Sequence, residues 1–285
     1  MPPAKALLLI LLFIVAFDFT ARWMLSLGRR NHWPWPNSFQ YLVGIVTNFF
    51  DTLGIGSFAT TAAFYRWQGT VVDEKLPGTL NIGHCLPTVV QALIYVTIVE
   101  VDQRTLGLLI ATAVLGAWVG AGIVTGLSRR SIRLGMGGAL LLASAILLAR
   151  LCNLLPSGGD SLALFGPWLV AAMLGNFALG ALMMIGVGAY APIMIMVSLL
   201  GMNPKAAFPI MMGSCAFLVP IGSTRFIRTG MYDVPAALGL TLGGIPAVLI
   251  AALIIKELPL DAVRWLVLGI VFYTAISLLR AARVN

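Results

Sequence analysis

The chain has 285 residues, 60% of them hydrophobic and 10% charged, with a net charge of +8. A soluble domain carries about a quarter charged residues. These proportions, with a mean hydropathy of +0.98, leave an integral membrane protein with almost no part outside the bilayer. The basic residues sit at helix ends and not along one face, so the positive charge reads as membrane topology and not as nucleic-acid binding.

The apolar runs last about 20 residues, too long for barrel strands, so the spans are helices. The first run starts after Lys5 and is continued by Asp18 and Arg22, with no small-residue cleavage site. It reads as a retained first helix, with Asp18 and Arg22 placed for an intrahelical ion pair. Spans follow at 40–53 and 56–67 (one broken pair), 77–99, 104–126 and 131–151. A second series runs 164–186 and 188–200, again broken, then 206–228, 234–255 and 261–280.

These series are one duplication. Gly54 and Gly56 lie 132 residues before Gly186 and Gly188, and Pro77 lies 132 before Pro209. Asp102 and Asp233, and Arg133 and Arg264, lie 131 apart. The expected organisation is an N-terminal helix and loop (1–39), a first repeat (40–152), a linker (153–163) and a second repeat (164–285). Each copy crosses five times if the broken pair counts as two spans, and three times if that pair is re-entrant. Both counts are odd, so the second copy is inverted. The fold class is an all-α polytopic bundle of two inverted-topology repeats with broken or re-entrant helices.

Charge orients the bundle. Arg29, Arg30, Arg66, Lys75, Arg129, Arg130, Arg133, Arg225, Arg228, Arg280 and Arg283 fall on one side. Glu100, Asp102 and Asp160 fall on the other, with Lys205, Lys256 and Arg264 as exceptions. The basic side is expected to face the cytoplasm of a cell membrane (a bacterial inner membrane), which puts the N-terminus outside and the C-terminus inside. Trp33, Trp35 and Trp67 fit an interfacial belt.

The broken pairs are the candidate site. Helix-breaking backbone inside a bilayer must line a cavity or be buried in protein. Two such breaks in matching halves point to a transporter's substrate site. A half-helix beginning near Gly56 and Ser57 would aim N–H groups at an anion, with Thr60 and Thr61 adding hydroxyls. Gly188 and Tyr190 would do the same from the second copy, with Asn48, Gly54 and Gly186 framing the breaks. The competing reading is close helix packing by small residues. Two roles are open to Asp51: a proton- or cation-coupling group, or a cap for the half-helix that follows. A further polar set follows the matching prolines, Thr79, Asn81, Gly83, His84 and Gln91 in one copy and Gly213, Ser214, Ser223 and Thr224 in the other. Asn81 and Ser214 would orient a substrate's oxygens. His84 reads as a pH switch or as a satisfied packing residue. Cys85 and Cys215 read as apolar fillers or as thiols for sulfur-compound handling. Arg225 and Arg228 would draw an anion to a cytoplasmic mouth or serve as topology anchors. With two histidines, His32 and His84, and no paired deep carboxylates, the sequence offers no metal-ligand or catalytic constellation. Neither an enzyme nor a bound cofactor is expected.

Several stretches carry a resemblance to a known family: Gly186-Val-Gly-Ala-Tyr-Ala-Pro192, Leu199-Leu-Gly-Met-Asn-Pro-Lys-Ala-Ala207, Gly213-Ser214 and Arg228-Thr-Gly-Met-Tyr-Asp233. Gly54-Ile-Gly56, Asn81 and Val101-Asp102 match more weakly in the first copy. Over roughly residues 40–280 the chain resembles the sulfite exporter TauE/SafE family of anion transporters. That resemblance implies an inverted-repeat helical fold. It also implies export or uptake of a small anion such as sulfite or a sulfonate. The Gly-Ile-Gly-Ser and Gly-Val-Gly-Ala runs are thinner in glycine than the family's pattern, and Gly213-Ser214 stands where the family has Thr-Ser. The expected function is secondary transport of a small anion by alternating access, with Asp51 coupling a proton. The alternatives are thiosulfate or sulfur-compound uptake through Cys85 and Cys215, or a membrane assembly subunit without transport.

Overall fold

A computed structural model describes residues 3–29, 35–154, 159–186, 188–254 and 261–283. Among the described residues the chain forms eleven α-helices, one 3₁₀ turn and a single isolated β-bridge. Seven of the helices are long and apolar enough to cross a membrane. The protein is an all-α polytopic membrane protein. Arg30, Trp33 and Lys256 lie outside the described residues, as do the side chains of Tyr190 and Arg264.

Helix α1 (Pro3–Gly28) lies on the flank of the bundle against α4 (Leu76–Ile98) and α9 (Ala207–Thr229). Its outer face is apolar and exposed at Phe13, Phe17 and Leu25. Asp18 and Arg22 form the expected ion pair one turn apart, at 2.7 Å.

The other ten helices form two series of five. The first is α2 (Ser38–Thr52), α3 (Ser57–Trp67), α4, α5 (Gln103–Val124) and α6 (Arg129–Leu151). The second is α7 (Gly166–Met183), α8 (Tyr190–Leu199), α9, α10 (Val234–Ile254) and α11 (Asp261–Arg283). Matching helices run in opposite directions. The start of α4 meets the end of α9, where the Asp233 amide donates to Thr79 Oγ1 at 2.9 Å. The start of α9 meets the end of α4, where Phe208 stacks on Tyr95 with ring centroids 5.3 Å apart. Asp102 and Asp233 cap the matching helices α5 and α10 through the amides of Thr105 and Ala236.

Packing along the seams depends on glycine, because helices in lipid gain from close backbone approach and not from a hydrophobic drive. α5 lies along α7, and α10 along α2. A Cβ at Gly116 or Gly180 would strike the carbonyl oxygen of Phe177 or Ala113 across the first seam. A Cβ at Gly44 would strike the Gly239 carbonyl across the second.

The broken pairs are re-entrant hairpins, which settles the crossing count at three per copy plus one hairpin. α2 starts beside the first half of α10, with Gly239 against Gln40. α3 returns to the same end, where the Tyr65 hydroxyl donates to the Ala236 carbonyl at 3.1 Å. The second hairpin mirrors this. Past α8, the Asn203 amide donates to the Ser161 carbonyl at 2.8 Å, back at the segment from which α7 departs. Gly69 and Gly201 end the returning helices in matching left-handed conformations, with φ of 63° and 81°.

The basic side closes on one carboxylate. Asp73, in the loop between α3 and α4, accepts from Arg66 and from Arg133 Nε, the latter at 2.7 Å. Arg133 also donates to the Ala281 carbonyl at 2.9 Å, and Arg66 to Ser277 Oγ at 3.4 Å, so the cluster ties α3, α6 and α11 together. Burial alone would raise the Asp73 carboxyl. The hydrogen bond from Arg133 and the charge of Arg66 outweigh it and hold the carboxyl below its ordinary value.

Two predictions follow from this packing. Gly116→Ala should destabilise the protein by about 1–3 kcal/mol through overpacking, whereas Gly107→Ala, on the open face of the same helix, should not; thermal melts of the two variants in detergent decide it. Because the folded carboxyl is depressed, acid protonates the unfolded chain first. The Asp73 contribution is therefore present at neutral pH and is lost as pH falls below about 4. Asp73→Asn should lower stability at pH 7 by about 3 kcal/mol, since it leaves Arg133 buried without its charge partner. It should also flatten the acid-induced loss in a melting-temperature series.

Candidate functional site

Helix α2 stops because Gly54 and Gly56 adopt φ of 90° and 89°, conformations closed to most side chains. Gly186 breaks the second hairpin in the same way, with φ of 97°. A helix starting inside a bilayer presents N–H groups that lipid cannot satisfy. The chain supplies its own acceptor. Asp51 Oδ1 accepts the Ser57 amide at 2.8 Å, and Asp51 Oδ2 accepts from Gln91 Nε2 at 3.1 Å. Gln91 also donates to Thr52 Oγ1 at 3.0 Å, which leaves its own Oε1 buried without a partner. At the end of α2, the Thr52 carbonyl accepts the Tyr95 hydroxyl at 2.6 Å.

Two asparagines fasten the hairpins in corresponding ways. Asn48 donates to the Gly44 carbonyl and, at 3.4 Å, to Leu240 of α10, and its oxygen faces His84 Nδ1 at 2.9 Å. Asn176 donates to the Leu109 carbonyl of α5 at 2.7 Å and to Ser214 Oγ of α9 at 3.0 Å. Each joins its hairpin to one helix of the opposite series and to one of the two central helices, α4 or α9. The Asn48 amide nitrogen is committed to carbonyls, so its oxygen meets His84 Nδ1, which therefore carries the hydrogen. The Thr61 hydroxyl lies 3.0 Å from His84 Nε2 and completes the ring's partners.

The hairpins meet at the centre. A Cβ at Gly188 would touch Phe58 Cβ at 3.7 Å. Between the breaks is a cavity of about 20 Å³ whose wall includes Asp51, Gly56, Ser57, Thr88, Gln91, Gly188 and Ala189. Phe58, Met183, Met211, Met212 and Cys215 complete the lining. That volume admits about one water-sized group. Among the described residues, Asp51 is the one formally charged residue on the wall, and no basic side chain lines it. A larger groove of about 580 Å³ lies between α3 and α11, beside Arg66 and the exposed Trp67 and Tyr273. It opens on the perimeter of the bundle and shares no residue with the central cavity.

No family model matches the chain, and no curated protein matches it.

Of the residues singled out in the sequence, Asp51, Gly56, Ser57 and Gly188 come together on the cavity wall. Gly54 and Gly186 shape the breaks without lining it. Thr60 is bonded into its own helix, to the Gly56 and Ser57 carbonyls. Asn48 and Ser214 are spent in the clamps. Asn81 donates to the Pro77 carbonyl and, at 3.4 Å, to Met183 at the end of α7, outside the cavity. Tyr190 begins α8, and its side chain lies outside the described residues. Cys85 is buried away from the wall that Cys215 lines, so the two thiols do not form a symmetric pair at the site.

The sequence reading did not place Thr88, Met183, Met211 and Met212 at the site. Thr88 and Gln91 are three residues apart on α4 and share a face, which was a usable signal. The methionines looked like any other apolar filler.

The capping geometry makes a specific prediction. Asp51→Asn keeps an acceptor for the Ser57 amide and should leave folding nearly unchanged. Asp51→Ala removes it and should cost about 0.5–2 kcal/mol, read as a lower melting temperature of the purified protein.

Proposed function

We propose that the protein is a secondary transporter of a small anion. The supporting observation is the pair of re-entrant hairpins that enter from opposite faces and meet over one small, carboxylate-bearing cavity. Broken helices at the interface of inverted repeats are the recurring architecture of transporter sites. A purely structural subunit has no need of it.

The chemistry constrains the cargo. An anion in the cavity would face the Asp51 carboxylate with no basic side chain beside it, and two unpaired negative charges in a low-dielectric interior are strongly unfavourable. Anion entry therefore requires a proton on Asp51. Protonation also weakens the charge-assisted bond to the Ser57 amide, which frees an N–H at the start of α3 for the substrate's oxygen. Anion and proton then move together as a neutral pair. Asp51 serves both roles left open by the sequence: it is the resting cap of α3 and the coupling group.

The cavity, at about 20 Å³, has no room for sulfite. Motion of one repeat against the other has to widen the site toward one side at a time. The resemblance to the TauE/SafE family suggests sulfite or a sulfonate as cargo. The basic face, with Arg66, Lys75, Arg129, Arg133 and Arg280, is assigned to the cytoplasm by the distribution of positive charge.

Proteoliposomes given labelled sulfite under an inward proton gradient should accumulate it, and the rate should fall when the gradient is collapsed. Asp51→Asn should transport without pH dependence or not at all. Absence of flux for sulfite, thiosulfate, sulfonates and carboxylates alike would defeat the reading.

A further inference from the structure

Four sulfur-bearing side chains line the same cavity as Asp51. Met183 ends α7, and Met211, Met212 and Cys215 lie on α9. The Cys215 thiol donates a weak hydrogen bond to the Met183 thioether, with the sulfurs 3.6 Å apart. Thioethers commonly fill irregular gaps in a core. Here they line a cavity of about 20 Å³ whose wall also includes Asp51 and Gln91, and Gln91 Oε1 is buried without a partner. The unsatisfied group on this wall is an acceptor, and the formal charge is negative. The lining suits a cation.

We propose that this cavity is a binding site for one soft monovalent metal ion, Cu(I) or Ag(I), held by Cys215 and Met183 with Met211 or Met212 as a further ligand. Thiolate and thioether ligands select Cu(I) over harder ions. An ion about 2.3 Å from each sulfur would subtend roughly 100° across the Cys215–Met183 pair, close to the angle that three- or four-coordinate sites use. The ion takes the place of the thiol hydrogen. Binding converts the thiol to a metal thiolate and releases its proton to solvent. Metal cation and thiol become a neutral metal thiolate and a free proton. The dimensions of the cavity agree, since it admits a bare ion and excludes an oxyanion. Bound metal would tie the tip of the second hairpin to α9 beside the first hairpin's cap.

The test is anaerobic titration of the purified full-length protein in detergent with ascorbate-reduced Cu(I), in competition with the chelator bicinchoninate. A Cys152→Ser background removes the exposed thiol. One equivalent of Cu(I) per chain should transfer from the chelator. Loss of outer-sphere partners alone weakens metal sites by about 10–100-fold, so Cys215→Ser and Met183→Leu should each weaken binding by at least about tenfold. Met183→Leu conserves volume, and a metal-free melting temperature equal to the parent's shows that the fold is intact. If the parent fails to withdraw Cu(I), or both variants bind as tightly as the parent, the proposal is overturned. The readout needs no transport, so it stands or falls separately from anion flux.

Discussion

Hydrocarbon offers no hydrogen bonds, and the architecture answers to that constraint. Two helices are interrupted deep in the bundle, and each interruption leaves backbone groups that only protein can satisfy. Asp51 takes the amide at the start of α3, Tyr95 takes the carbonyl at the end of α2, and Asn81 reaches the carbonyl at the end of α7. The groups that resembled substrate ligands are in large part the ones that make the breaks tolerable.

The two halves solve the same mechanical problem and differ in chemistry. Asparagine clamps, aspartate caps and glycine-lined seams recur in both, and the central helices α4 and α9 lie antiparallel. The carboxylate occurs once, beside the first break, and sulfur gathers on the second half's side of the cavity. An inverted repeat gives a carrier its two-sided geometry. The departure from symmetry at the centre sets one acid and several sulfur-bearing side chains around the same cavity.

Much of this was legible in the residues. The period of about 132 residues, the glycine breaks and the inverted count could be read because each has a local cause, whether an apolar run, a left-handed glycine or an odd number of crossings. Asp51 was read as a deep acid with two roles, and the cap is the one seen in its contacts. The polar side chains were harder. Asn48, Thr60, Asn81 and Ser214 are the right residue types at plausible places, yet each is bonded to a carbonyl or a neighbouring side chain. In a bilayer, side chains that bind and side chains that fasten have the same composition. Only the partner distinguishes them.

Sequence alone determined the membrane class, the duplication and the position of both breaks, because hydropathy and backbone conformation act over a few neighbouring residues. Tertiary structure decided that the hairpins re-enter and that Asp51 occupies the amide an anion would need. It also decided that Met183, Met211, Met212 and Cys215 share a wall with that acid. Those outcomes depend on residues far apart in the chain, such as Tyr65 with Ala236, 171 positions away, and no local pattern encodes which polar or sulfur atom will face which.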